Sequence, residues 1–513
     1  MSNPAKTSKR LTQPLDRVAI GLMLLVSLLI GMLIWSGDHS APRVREFSWQ
    51  NQQVGAEDIA FILTFTRPMD HASVEKNLRL VPPLPGKVSW AGRRMAYTLT
   101  TPAPYGTGYQ LELQGAQDRF TAEGSQRSVI QPFVGSFRTR DRGFVYIGTA
   151  GEEEGRLVLY NMTQREPHVL TPENLVVMEF KPYPQGDRIL FSATERQPPS
   201  PSGKTTLPQG LINQQLYSVT TGIAVKQPQP STTPIFNFLG LGKEPSPPVA
   251  SELAGKVTLL LDSKDYQNLK FDLSADGQSI VVQRVNRKNP GDFGLWLLQP
   301  NRSPQPLKNQ PGGDFLITPD SASLAIAQGQ GLAILPLQPE ADPLDFLPKF
   351  GMVLSFARDG SQAAMVKFNT DFTRSLFLVT NQGMQKEILR TSGSILNAQF
   401  DPLKQTLYCL LTQLLPGEVY QEQPFLAAID LKTAQLKPLL LLPSQRNVQM
   451  SLSPDGLALL FDQPSAQDQA PNSKVEAKPD RLWLLPLVND ASVAQTIQPE
   501  ELPFVGFHPR WLP

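Results

Sequence analysis

A short phrase recurs along the second half of this chain: an apolar strand, a tight polar turn and a second apolar strand. Its clearest copy runs Asn447-Val448-Gln449-Met450-Ser451-Leu452, turns at Ser453-Pro454-Asp455-Gly456 and continues Leu457-Ala458-Leu459-Leu460-Phe461. Copies return at 269–282, 315–327, 352–366 and 396–411. Asp in such turns accepts hydrogen bonds from amides just downstream, and Gly supplies the positive φ. A strand-built unit repeating at about 40 to 50 residues predicts a β-propeller. Such a ring is a scaffold that hosts unrelated chemistries, so it constrains architecture far more than function.

Each blade needs four strands, the innermost leading into the turn. Innermost candidates fall at 176–180, 269–273, 314–317, 352–356, 395–400 and 448–452. The stretch Phe504-Val505-Gly506-Phe507-His508-Pro509-Arg510-Trp511 reads as a seventh, with no second strand after it. Conversely, Phe144-Val145-Tyr146-Ile147 and Leu157-Val158-Leu159-Tyr160 read as second and third strands with no first before them. Pairing the two ends predicts a ring closed between its terminal strands, leaving no bare edge there. The expectation is an all-β chain whose propeller, 143–513, has seven blades. Six is the alternative, because 197–256 is irregular.

The ring is interrupted by Pro-rich insertions near 197–256 and by a polar one near 464–480. Loops of this length are functional or disordered. Inside the first, Ile235, Phe236, Phe238 and Leu239 form an apolar patch that is the candidate partner-binding site. The opposing reading folds that patch onto the propeller wall.

With 47 basic and 46 acidic residues the net charge is +1, so no electrostatic signature points to nucleic acid. A single cysteine, Cys409, sits in an apolar run, which excludes an intrachain disulfide and reads as a buried strand thiol. Residues 18–35 carry no charge and follow Lys6, Lys9, Arg10 and Arg17. As a helix they would span about 27 Å. That predicts a transmembrane signal anchor over 18–36 with a cytoplasmic basic tail, 1–17, and the bulk of the chain periplasmic, in a single-pass protein of the inner membrane. A cleaved signal peptide is the rival, opposed by Pro42 after the best cleavage site, Ala41.

Between the apolar run and the repeats, 43–139 shows about seven short strand signals, a β-sandwich pattern. Its residues Phe65-Thr66-Arg67-Pro68-Met69-Asp70, Trp90-Ala91-Gly92 and Tyr105-Gly106-Thr107-Gly108-Tyr109 resemble the bacterial Ig-like domain of the SbsA type. That resemblance implies a spacer or adhesion module without catalytic residues. In the repeats, Ser453-Pro454-Asp455-Gly456 and Ala427-Ala428-Ile429-Asp430-Leu431-Lys432-Thr433 resemble the TolB-like and WD-repeat-like propellers. The turns at Pro319 and Asp401 depart from that consensus.

Motifs with chemistry fare poorly. Gly203-Lys204-Thr205 lacks the upstream glycine of a phosphate loop and sits in Pro-rich coil. Asp272 to Gly277 mimics the start of a calcium loop, but its twelfth position is Gln283 and Asp276-Gly277 already serves as a blade turn. No Gly-x-Ser-x-Gly nucleophile elbow occurs. Asp70-His71 and Glu152-Glu153-Glu154 read as solvated turns. His168 and His508 lie near the two ends of the closing blade and are candidates to meet in space.

The expected function is therefore a non-enzymatic binding scaffold presenting a propeller to a protein or cell-envelope ligand, with no catalytic, cofactor or metal residues assigned. A hydrolase or lyase acting in the central channel, and a wall-binding role led by the Ig-like module, are the alternatives.

Overall fold

The computed structural model describes residues 14–36, 41–119, 128–196, 213–223, 253–307, 313–329, 331–339, 341–417, 420–444, 447–464, 480–487 and 498–513. The candidate patch Ile235, Phe236, Phe238 and Leu239 lies outside them, as does Gly203-Lys204-Thr205. The chain is all-β, apart from two α-helices and a short 3-10 turn among the described residues.

The helix Pro14–Ser36 forms over the apolar run. Among the described residues, however, no helix is long and apolar enough to cross a membrane. This overturns the expected transmembrane anchor, and with it the inner-membrane location and the periplasmic placement that rested on it.

Two compact units follow from the contacts: 1–52 with 60–98 and 109–137, and 53–59 with 99–108 and 138–513. In the first, the strands Val44–Phe47, Ala60–Phe65, Arg94–Leu99 and Gly86–Ala91 make one sheet. Strands Gly108–Leu113, Leu78–Val81 and Phe133–Thr139 belong to another. An aromatic core joins them: Phe47 meets Phe61 at 5.3 Å, and Phe137 meets Trp49 at 5.0 Å and Tyr109 at 5.1 Å. The helix His71–Asn77 precedes the strand Leu78–Val81. Asp70 opens the helix: its carboxylate accepts from Ser73 N at 3.0 Å, an N-cap. His71 stacks on Trp90 at 4.2 Å, so neither residue is the solvated turn expected.

The second unit repeats antiparallel four-stranded sheets in the manner of a β-propeller. Five are simple meanders in chain order, the first running Leu175–Pro182, Arg188–Glu195, Gln215–Thr220, Val257–Leu261. Alternation is weak because both faces of most second strands are covered. In Thr406–Leu414, six consecutive residues are buried, Cys409 among them at 0% exposure. The sixth sheet is composite. The 12-residue strand Glu500–Trp511 pairs with Asp480–Pro486 through Arg481 and Val505, then with Gly143–Gly148 through Phe507↔Ile147 and Trp511↔Phe144. The terminal pairing expected from the sequence forms. Unforeseen was that the same strand also completes the preceding sheet.

The turns explain their own spelling. In Ser453-Pro454-Asp455-Gly456 the Ser453 hydroxyl donates to Asp455 at 2.6 Å and accepts from Ala458 N at 3.0 Å, while Gly456 takes φ +74°. At the two departures, Ser321 (φ +60°) and Lys404 (φ +56°) occupy the left-handed position. There Asp401 Oδ1 accepts from Gln405 N at 2.7 Å and Thr406 N at 2.8 Å, replacing the serine.

Candidate functional site

The first strands of successive sheets lie side by side, and most carry the same defect. The register slips by one residue between Val177 and Glu179, Asn268 and Lys270, Val353 and Ser355, and Ile395 and Asn397. A bulge re-aims the side chain that follows it. The polar side chains Glu179, Lys270, Ser355 and Asn397 all follow one.

These strands are laced to their neighbours. Lys181 pairs with Asp272, and Lys270 with Asp314. Asp272 Oδ2 also accepts from Ile317 N at 2.7 Å. Gln399 accepts from Leu452 N at 2.8 Å and donates to Met450 O at 3.1 Å. The Ser451 hydroxyl accepts from Trp511 N at 3.1 Å. Arg510 Nη2 reaches Glu179 Oε1 at 3.4 Å. One arc of this wall is therefore ionic and the other neutral polar. Asp272 has both oxygens engaged, which removes it as the first ligand of a calcium loop. Among the described residues no cluster of three His, Cys, Asp or Glu has the geometry to hold a metal ion.

His508 sits where the terminal strand bends, at φ +55° and 6% exposed. Its main-chain N–H donates to Asp462 Oδ2 at 2.7 Å; its Nε2 accepts from Arg510 Nε at 3.0 Å and lies 3.3 Å from Glu179 Oε1. Burial, with Arg510 adding to it, holds the imidazole down to about 3. Burial pushes the Asp462 carboxyl up to about 6, against the pull of the Gln449 and His508 amides. The protein packed around Glu179 pushes its carboxyl above the usual range, opposed by Arg510. At neutral pH His508 is an uncharged acceptor already engaged by Arg510, a poor general base. His168 does not join it. That residue lies on the exposed strand Glu166–Val169, three strand spacings away along one sheet, roughly 14 Å. Glu152 and Glu153 lie in the 3-10 turn Gly151–Glu153, which Glu154 caps, and Glu153 accepts from the Tyr146 hydroxyl at 3.0 Å.

The opposite kind of surface lies at the edge formed by the hairpins between second and third strands. Phe372 stands at φ +63° and 89% exposed in the turn between Gln362–Phe368 and Arg374–Thr380. A bulky residue in the left-handed region is unusual and is sustained here by its surroundings. Asp371 Oδ1 accepts from the Thr373 hydroxyl at 2.6 Å, and Arg390 Nη2 donates to Asp371 Oδ2 at 2.6 Å. Those bonds hold the Asp371 carboxyl well below the usual range. Arg374 donates to the carbonyls of Ser392 and Gly393, both at 3.1 Å, which ties this hairpin to the link that leads into the next sheet. There Leu396, Leu414 and Tyr420 are also exposed, and Glu422 accepts from Tyr420, Thr412 and Ser394. The other edge, with the tight turns, is partly occupied within the same unit: Tyr105 N donates to Asp455 at 3.1 Å, and Glu57 pairs with Arg358 at 3.2 Å.

No protein family matches the chain, and no curated protein does. Solved structures do resemble it. TolB from Acinetobacter baumannii is 11% identical at a TM-score of 0.38, over 85% of this chain and 83% of that one. The oligogalacturonate lyase from Vibrio parahaemolyticus is 9% identical at 0.40, over 63% and 86%. The hydrazine synthase of Kuenenia stuttgartiensis is 12% identical at 0.34, over 55% and 72%. At such identities and TM-scores none of these assigns an activity to this chain.

Proposed function

We propose that this protein is a binding scaffold: a seven-bladed ring, closed by the strand Glu500–Trp511, that docks a protein partner on its hairpin edge. The first unit is read as an Ig-like spacer over about 43–139, ahead of the propeller at 143–513. The observation that carries the reading is Phe372, a large apolar side chain held out in a strained turn by the Asp371–Thr373–Arg390 network, with Tyr420 and Leu396 also exposed on the following sheet. Exposed apolar clusters with polar rims mark interaction sites, and aromatic anchors dominate their energetics. The wall of first strands supports the same reading: its charged groups are engaged with one another and with backbone, as in a frame.

Cross-linking followed by pull-down of the tagged full chain tests this. One partner recovered in stoichiometric amount by the natural protein, and reduced at least tenfold by Phe372→Asp with Tyr420→Asp, is the expected result. Retention of the partner by that variant would remove the hairpin edge from the proposal. Turnover of a chromogenic glycoside or ester with no partner recovered would favour the channel enzyme instead.

A further inference from the structure

A second, unrelated site lies on the tight-turn edge. Between the sheet of residues 175–261 and that of residues 266–306 opens a cleft of about 300 Å³, near the lower bound for small-molecule pockets. Its apolar lining includes Ile280, Leu298 and the ring of Tyr183, and its rim carries Arg188, Arg302 and Gln299. Its twelve lining residues include two arginines and no acid.

Both arginines are held with donors to spare. The Arg188 guanidinium lies 4.5 Å from the centre of the Tyr183 ring, and its Nε donates to Asp187 Oδ2 at 3.2 Å. Its two terminal nitrogens have no protein partner among the described residues. Arg302 Nη1 donates to Gln299 Oε1 at 3.0 Å, and Gln299 Nε2 donates to the Ser279 hydroxyl at 3.2 Å, fixing the amide. Counting Asp187 against the two arginines still leaves one positive charge in excess. A guanidinium presents paired N–H groups that match a carboxylate. An apolar lining beneath them favours a ligand with a hydrocarbon body.

We propose that this inter-blade cleft binds a carboxylate carried next to a small apolar group, the chemistry shared by a peptide's C-terminal apolar residue and by a short branched-chain acid. The proposal does not rest on the hairpin edge, and its test leaves that edge untouched. Calorimetric titration of the full chain uses N-acetyl-leucine as probe, with N-acetyl-leucinamide, 4-methylpentanoate and inorganic phosphate beside it. N-acetyl-leucine is expected to bind. Its dissociation constant is expected to rise at least tenfold on amidation and in Arg188→Gln and Arg302→Gln, with Lys264→Gln unchanged. Equal binding of 4-methylpentanoate assigns the cleft to free acids, whereas a clear preference for N-acetyl-leucine assigns it to peptide termini. Absence of binding, equal binding of acid and amide, or phosphate binding as tight as N-acetyl-leucine overturns the proposal. Because Arg188 also covers Tyr183, Arg302→Gln, on an exposed turn, keeps the test decisive if Arg188→Gln misfolds.

Discussion

His508 and Asp462 meet at the closing strand, and their protonation pulls stability in opposite directions. His508 is held near 3 when folded, against about 6.5 when unfolded. On acidification the unfolded chain takes up that proton first, so the histidine's contribution is complete above about 6.5 and is lost as pH falls toward 3. Asp462 is raised to about 6. Between about 4 and 6 it is the folded chain that holds the extra proton, so its contribution grows as pH falls through that window. Each slope is about 1.4 kcal/mol per pH unit at most, and the two offset one another. Asp462→Asn is expected to unmask the histidine, with unfolding free energy falling between pH 6 and 4. His508→Asn, which tolerates the left-handed backbone, is expected to leave the aspartate, with unfolding free energy rising over the same interval. Urea titrations at pH 4, 5 and 6 read both slopes, and slopes of the same sign in the two variants would refute the assignment.

At the scale of the strand, Asp272 and Gln399 do equivalent work on different blades: each accepts a main-chain N–H from the first strand of the next sheet, Ile317 and Leu452 respectively. Removing either acceptor leaves a donor without its partner. Asp272→Ala and Gln399→Ala are each expected to cost about 1–3 kcal/mol, measured by chemical denaturation. Lys264→Ala, which removes an exposed 3.9 Å pair with Asp262, is expected to stay within about 0.5 kcal/mol. These locks were not legible in the sequence. Asp272 reads there as a turn-proximal carboxylate and Gln399 as an ordinary strand residue, because a bond between blades depends on register and bulges that no local pattern encodes. What was legible is what local chemistry dictates: the Ser-Pro-Asp-Gly turn, the buried run around Cys409, the missing strand at each end. Phe372 falls between the two. Asn369 and Asp371 announce a turn, but that the residue between Asp371 and Thr373 would be both strained and bare follows only from the network that grips its neighbours. The short helix His71–Asn77 carries little local signature beyond its cap, Asp70.

For the whole molecule the decisive segment is the last half of the strand Glu500–Trp511. Gly506 to Trp511 supplies the partner of Gly143–Gly148, and Trp511, 5% exposed, sets its ring 5.8 Å from Phe144 while Nε1 donates to Ser451 O at 3.1 Å. Through these contacts the strands of residues 143–169 and those of residues 450–486 are held in one seven-stranded sheet, so a local loss here is felt on both sides of the strand. Trp511→Ala is expected to cost about 3–5 kcal/mol through the cavity it leaves. Deleting residues 506–513 does more: it bares the edge of Gly143–Gly148, a template for aggregation, and frees the sheets to unfold in succession. The full chain is expected to show one cooperative transition for this unit in denaturant. The deletion is expected to show a lower midpoint and a shallower slope, since less surface is exposed in each step. A synthetic peptide of residues 506–513 added in excess restores the midpoint if pairing alone closes the ring, because a ligand that binds only the folded state stabilises it by mass action. A deleted chain that keeps both midpoint and slope would mean the blades hold without closure, and a scaffold whose rigidity depends on that seam would have to be abandoned.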